Sequence, residues 1–367
     1  MSAISPAIPV RGPKGLTACL DDLERRIDDD QERQGLRHWL TFLDGRWPEE
    51  VFTPPPRRPA PPGVDWPAIH IHQAFADYDA MVLSQLSICS DMLAGRHDGA
   101  NMFYGANRRL CVRCNYGTGI LPSILGCDLF EMPAETNTLP TCRPLDGPDR
   151  IRRLLDRGLP DLDAALGGHV FRCAQRFLEL FQAYPKIREH VALYHPDTQG
   201  PADCLELIWG SDCFYAFYDQ PDLLRDVLDL IAQTYIAFLR RWYALVPQRQ
   251  PWSVHWSLMH KGTIMLRNDS LMNLSPGQYA DFLRPVDQRL LDAFGGGAMH
   301  FCGRGDHYID QAASLGGLTA IQISQPECND METIFRGTVD KGIPLIGLPE
   351  SGLKGVTRPL RGLVHAG

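Results

Sequence analysis

An imidazole and a thiol stand two positions apart in the segment GGGAMHFCGRGDHYID, which spans residues 295–310. They are His300 and Cys302, and the apolar run AMHF before the thiol predicts a strand. On a strand, side chains at positions i and i+2 share a face, so both groups would enter one site. Imidazole nitrogen and thiolate are preferred ligands of Zn²⁺, and a catalytic zinc site needs about three protein ligands. The pair indicates either a metal site or, alternatively, a buried cysteine beside a histidine that hydrogen-bonds substrate or backbone.

Other polar residues follow the remaining predicted strands, where the C-terminal strand ends of a parallel sheet carry the chemistry. We expect Asp269, Asp197 and His300 to be catalytic, as acid–base groups or, for Asp269, as the group that orients His300. Arg113 is suited to clamp a substrate carboxylate. For each residue the alternative is a structural ion pair or a turn residue. The full set of expected substrate-binding residues is Arg113, Asn115, Tyr116, Gln199, Asn268, His72 and Gln322.

The elements that must position these residues alternate between strands and helices in the second half of the chain. Strands are predicted within residues 262–276, 298–303, 318–327 and 343–350, with helical segments between them. Such alternation with short turns is typical of a parallel sheet. Spread over about 300 residues, it predicts an α/β fold of the (β/α)₈ barrel type. A further short strand is predicted at residues 68–75.

The chain before residue 65 has a different character. Residues 17–45 show helical spacing with dense charge, and residues 48–62 are rich in proline, which excludes a helix or a central strand there. We therefore predict an N-terminal helical segment and proline-rich arm over residues 1–64, followed by the barrel over residues 65–367.

Composition limits the partners and the compartment. The net charge is −8, which argues against nucleic-acid binding. No run of eighteen apolar residues appears, which argues against a membrane span, and the N-terminus lacks a signal-peptide pattern. We expect a cytoplasmic protein whose eleven cysteines are reduced thiols, with a metal-binding or catalytic subset.

Three blocks of sequence together resemble the uroporphyrinogen decarboxylase superfamily. They are RCNYGTGILPSILGCDLF, the QGP motif that opens a helix at residues 199–201, and NDSLMNLSP followed by the HFCG turn at residues 300–303. The resemblance runs from about residue 65 to residue 350, and it implies a (β/α)₈ barrel with one of two chemistries.

The first implied chemistry is that of the corrinoid-linked methyltransferases of the superfamily. They hold zinc with a His-x-Cys pair, which His300 and Cys302 match, and with a later cysteine. In this chain no cysteine follows Cys328, so Cys328, Glu350 or His365 would supply the third ligand. The implied function is zinc-assisted transfer of a methyl group between a small-molecule donor or acceptor and a corrinoid protein or a thiol.

The second implied chemistry is decarboxylation of a tetrapyrrole. Decarboxylases of the superfamily carry an R-Q-A-G-R loop and an F-S-D-I segment, and neither is present here. A third hypothesis is a barrel that binds a corrinoid or tetrapyrrole without catalysis. The sequence leaves the oligomeric state open.

Overall fold

The computed structural model describes residues 15–96, 108–145 and 147–367. Within them, α-helices are α1 Leu16–Arg26, α2 Asp29–Leu43, α3 Ile71–Ala76, α4 Tyr78–Leu93, α5 Ile120–Ile124, α6 Gly147–Arg157, α7 Leu166–Phe181, α8 Pro185–His190, α9 Pro201–Trp209, α10 Cys213–Asp219, α11 Pro221–Leu245, α12 Pro276–Gln278, α13 Arg284–Phe294, α14 Ile309–Ala313 and α15 Met331–Gly337. The strands are β1 Val51–Phe52, β2 Cys111–Val112, β3 Asp128–Phe130, β4 Thr141–Arg143, β5 Ala192–Leu193, β6 Trp252–His255, β7 Leu258–Lys261, β8 Ile264–Arg267, β9 Gly297–Phe301, β10 Leu318–Ile323, β11 Leu345–Leu348 and β12 Val364–Ala366. Among these helices, none combines the length and the apolar composition that crossing a membrane requires.

A six-stranded parallel sheet forms the framework of the molecule, with strand order β1-β12-β11-β10-β9-β8. The register of the strands beside β9 determines which side chains lie next to His300. His300 is paired with Arg267 on β8 and with Gln322 on β10. Because paired positions on neighbouring parallel strands point to the same face, these three side chains project together from the sheet.

The (β/α)₈ barrel predicted from the sequence is wrong for the residues that the structure describes. β2 and β5 form a separate two-stranded parallel ladder, and β3–β4 and β6–β7 are antiparallel hairpins, so the fold is mixed α/β. The short second ladder has a local cause. Pro196 has no N–H to extend β5, and after β2 the N–H of Arg113 donates to the side chain of Gln85 instead of a strand.

The two faces of the main sheet carry separate apolar clusters. On β9, Met299 and Phe301 belong to the larger cluster, which includes the buried sides of the helices. Ala298 belongs to a second cluster on the opposite face, together with residues of α2 and of the β6–β7 hairpin. Strand alternation therefore puts His300 on the face of the second cluster.

The β6–β7 hairpin packs against this second face, and residues 253–260 are all buried. Its two turn residues, Trp256 and Ser257, have φ values of 47° and 63°. Positive φ at both central positions matches the twist of a two-residue hairpin, although glycine or asparagine usually occupies them. The turn brings the Trp256 ring to the end of β9, where it packs edge-on against His300.

The N-terminal segment contributes the edge of the sheet. β1 pairs with β12, and the proline-rich residues 53–62 that follow have no regular secondary structure. Buried Glu32 on α2 joins this segment to the rest of the fold through ion pairs with Arg57 and Arg109. The division into two units at residue 64 stays a prediction.

Candidate functional site

Asp269, His300 and Cys302 bring three kinds of donor atom together. Nε2 of His300 lies 3.5 Å from Sγ of Cys302 and 3.4 Å from Oδ1 of Asp269. The three donor atoms all lie within 4.8 Å of one another. Around a tetrahedral Zn²⁺ with bonds of about 2.0–2.3 Å, neighbouring donor atoms are about 3.3–3.8 Å apart. Both printed distances from His300 fall in that range, so the donor set fits zinc.

Backbone contacts fix how Asp269 meets the other two residues. His300 lies near the end of β9, Cys302 directly follows the strand, and Asp269 opens the short 3₁₀ turn Asp269–Asn273 after β8. The backbone N–H of Cys302 donates to Oδ1 of Asp269 at 2.8 Å. The backbone N–H of Asn268, next to Asp269, donates to the carbonyl of His300 at 2.9 Å. The ends of the two strands therefore hold the donors in register.

The first two turns of α9 support the same loop. The carboxylate of Asp203 accepts the backbone N–H groups of Asp269 and Ser270 at 3.1 and 2.6 Å. Glu206 accepts the Ser270 hydroxyl at 2.7 Å. Burial, together with the charge of Asp269, raises the pKa of Asp203 well above its usual value. Asp203 thus holds the backbone of the Asp269 turn, and Glu206 holds the Ser270 side chain.

Gln322 sets the orientation of the His300 ring. Its side-chain oxygen faces Nδ1 of His300 in a hydrogen bond across the β9–β10 pair. A carboxamide oxygen only accepts, so Nδ1 carries the proton and the Nε2 lone pair is directed at Cys302 and Asp269. Burial lowers the pKa of His300, although the Asp269 charge opposes this. The imidazole is thus held in the neutral form that binds metals.

Cys302 is a protonated thiol in the metal-free protein. Burial, with a further contribution from Asp269, raises the pKa of Cys302 to about 12. A thiol of this kind is a poor nucleophile by itself, because the thiolate is the reactive form. A bound divalent cation would stabilise the thiolate and release the proton. The residue is therefore better suited to hold a metal than to attack a substrate.

A second polar group, formed by Arg113, Asp197 and Arg267, lies beside this cluster. Oδ2 of Asp197 is 3.1 Å from Nη1 of Arg113, and Oδ1 is 3.3 Å from Nε of Arg267. Gln199 donates to the same Oδ1 at 2.5 Å. Burial alone would raise the pKa of Asp197, but the charges of Arg267 and Arg113, together with the hydrogen bond from Gln199, lower it. Asp197 is thus an ionised anchor for both guanidinium groups.

Arg267 is the site residue that sequence reasoning missed. It is the last residue of β8, which has the sequence IMLR and lies within the predicted strand segment 262–276. Strand alternation nevertheless indicates its position, because Arg267 and Met265 are two residues apart and share a face of β8. Met265 belongs to the second apolar cluster, so Arg267 also points to that side of the sheet. The structure adds that its guanidinium stacks on Trp256 at 4.7 Å.

Two expected metal ligands and one expected alternative lie outside the donor cluster. Cys328 and Glu350 are both exposed, and neither is in the group of three donors found among the described residues. His365 is buried, packs against Trp39 and accepts the N–H of Gly347. Asp269, which the sequence suggested as a catalytic or orienting residue, occupies the third position.

The remaining expected substrate residues are distributed around the fold. Asn268 is buried and donates to Asp287 at 3.0 Å. Tyr116 packs between the rings of Phe75 and His169. Asn115 is half-buried beside it in the chain. Among the contacts of the described residues, none of these side chains touches the donor cluster, and their binding roles stay predictions.

His72 lies on a helix, so the strand predicted at residues 68–75 is wrong. Residues 71–76 form α3, and His70 caps it by accepting the backbone N–H of His72 at 3.2 Å. The alternating pattern of this stretch is short enough to suit either structure, and the cap favours the helix. The two rings are neighbours, 5.2 Å apart, through the helix start and not through a shared strand face.

Comparison with protein-family models gave no match for this chain, and comparison with curated proteins gave none. The resemblance to the uroporphyrinogen decarboxylase superfamily therefore stays a prediction from the sequence motifs. The geometry of the site supports metal binding, through the donor atoms of Asp269, His300 and Cys302.

Proposed function

We propose that this chain is a zinc-assisted methyltransferase that moves a methyl group between a small molecule and a corrinoid protein or a thiol. Asp269, His300 and Cys302 would be the three protein ligands, which leaves one position for the reacting group. The observation that supports the proposal is the convergence of three different donors at separations suited to tetrahedral zinc. The sequence motifs supply the methyl-transfer part of the proposal.

The metal would supply one thing to this chemistry: a bound thiol acceptor would lose its proton and be nucleophilic near neutral pH. For a thiol acceptor, a carbon–sulfur bond forms while the bond between the methyl carbon and its donor atom breaks. The electron pair of the broken bond stays with the donor. The protein's own task is to hold His300 in the right tautomer through Gln322 and to hold Asp269 through Asp203.

The first test is the metal content of the full chain, purified without chelator and measured by elemental mass spectrometry. We expect about one zinc per chain, with the metal lost in Cys302→Ser and in Asp269→Asn. The matched control is Cys328→Ser, which removes an exposed thiol outside the cluster and should keep the metal.

Two results would contradict the proposal. One is a wild-type protein that is folded and metal-free even after incubation with zinc. The other is metal that survives Cys302→Ser but is lost in Cys328→Ser. Either result would turn attention to tetrapyrrole binding and decarboxylation, the second hypothesis from the sequence.

A further inference from the structure

Arg267 is a buried cation whose hydrogen-bonding groups are only partly used. Its side chain is 1% exposed, and Nη1 makes a long hydrogen bond of 3.4 Å to the carbonyl of Pro196. Nη2 has no hydrogen-bond partner among the described residues. A buried guanidinium has lost its hydration, so an unused N–H group is unfavourable unless a ligand supplies an acceptor.

The carboxylate that faces Arg267 is shared with other donors. Asp197 forms an ion pair with Arg113 and accepts a hydrogen bond from Gln199 through the same oxygen that faces Arg267. The contact between Nε of Arg267 and Asp197 is an ion pair at 3.3 Å and does not complete a hydrogen bond. Asp197 therefore positions Arg267 without using its N–H groups fully.

Trp256 covers one side of this cation. Its ring lies 4.7 Å from Cζ of Arg267, and the same ring packs edge-on against His300 at 4.7 Å. An aromatic ring over a guanidinium face leaves the in-plane N–H edge available to an anion. Trp256 has a left-handed φ of 47°, which is unusual for a bulky residue and is often found at functional sites.

We infer that Arg267 binds the carboxylate of a small-molecule substrate whose other end lies at the Asp269–His300–Cys302 cluster. Arg267 and His300 are paired across β8 and β9 and contact the same tryptophan, so the two side chains are close enough to bind the two ends of one compact molecule. A monoanion suits the site better than a phosphate dianion, because Asp197 and Asp269 already place negative charge nearby. That the substrate's other end gives or takes a methyl group rests on the proposed function, whereas carboxylate binding does not.

The test is isothermal titration calorimetry on the metal-free full chain with matched acids and amides. The probes are methoxyacetate, (methylthio)acetate and the corresponding neutral amides, with inorganic phosphate as a third class. We expect the acids to bind at least about tenfold more tightly than the amides, because a guanidinium favours an ionised acceptor. Arg267→Met should abolish this preference. Arg241→Met, which removes a more exposed guanidinium on α11, is the control and should preserve it.

The inference is overturned if acids and amides bind equally, if no acid binds, or if phosphate binds more tightly than the acids. It is also overturned if the preference survives in folded Arg267→Met. Near-ultraviolet circular dichroism checks that Arg267→Met is folded. If it is unfolded, the preference for acids over amides is measured on Arg267→Lys instead. The lysine variant keeps the charge but loses the planar fork, so a preference unchanged there would overturn the inference. A protein that binds acids but never zinc would refute the proposed function alone.

Discussion

Asp287 on α13 accepts a hydrogen bond from Asn268, the residue that follows β8, and its buried carboxyl group provides a test of how the two elements pack together. Its carboxylate is fully buried, accepts from Asn268 at 3.0 Å and from the hydroxyl of Tyr279 at 3.2 Å, and has one oxygen, Oδ1, without a partner among the described residues. Burial raises the pKa of Asp287 to about 7, and the two hydrogen bonds only partly oppose this. The folded protein therefore holds a proton on Asp287 at pH values where the unfolded chain has released it.

The sign of the effect follows from proton linkage. Between the unfolded pKa of about 3.9 and the folded value, the folded state binds more protons, so the free energy of unfolding falls as pH rises. With Asp287 at about 7 in the folded protein, the loss between pH 5 and pH 8 is roughly 2–3 kcal/mol. Asp287→Asn keeps an acceptor for Asn268 and removes the titration, so this loss should disappear.

The assay is urea unfolding of wild type and Asp287→Asn at several values between pH 5 and pH 8. We expect the variant to gain stability over wild type as pH rises, and the difference to level off above about pH 8. Asp281→Asn removes an exposed carboxylate six positions earlier and controls for the change in net charge. The difference in the free energy of unfolding between wild type and Asp287→Asn could instead be constant over this range or change in the opposite direction. Either result would refute the conclusion that the Asp287 carboxyl group is buried and protonated.

Two further predictions concern the support of the site. In Gly200→Ala, the new Cβ would lie 2.2 Å from Oδ1 of Asn268 and 2.3 Å from the carbonyl oxygen of Arg267, so we expect urea unfolding to show a loss of about 3 kcal/mol. Gly277→Ala has space for its methyl group and should change stability little; equal losses in both variants would contradict the argument. Gln322→Leu removes the acceptor for Nδ1 of the site histidine, so zinc affinity in a chelator competition should fall about 10–100-fold, and an unchanged affinity would contradict the orienting role.

Local sequence patterns predicted the part of the fold that carries the donors. The strands β8, β9, β10 and β11 all lie within or nearly within the predicted segments, because each is a short apolar run bounded by glycine, proline or polar residues. The same patterns could not predict how the strands join. Pairing between strands depends on contacts between residues that are distant in sequence, and Pro196 after β5 has no N–H with which to extend its ladder with β2.

The β6–β7 hairpin shows a different limit. A two-residue hairpin is normally recognised by glycine or asparagine at its turn, but here the turn is Trp256–Ser257. Without that signal, the contact between Trp256 and His300 could not be predicted from local sequence patterns. The contact depends on the packing of the hairpin against the second face of the sheet, where Ser257 accepts the backbone N–H of Arg109.

The third ligand illustrates why a motif alone is incomplete evidence for a metal site. The sequence pointed to residues after Cys302, since the resemblance implied a later cysteine, and Cys328 was the last thiol in the chain. In the structure the nearest suitable donor comes before the pair, from the turn after β8. Parallel pairing of β8 with β9 makes the residues after each strand neighbours, and Asp269 accepts the N–H of Cys302 directly. A carboxylate in this position would give a bound zinc one thiolate ligand and not two. The ligand charge is the same, but a carboxylate oxygen donates less electron density than a thiolate sulfur, so the zinc would be a stronger Lewis acid.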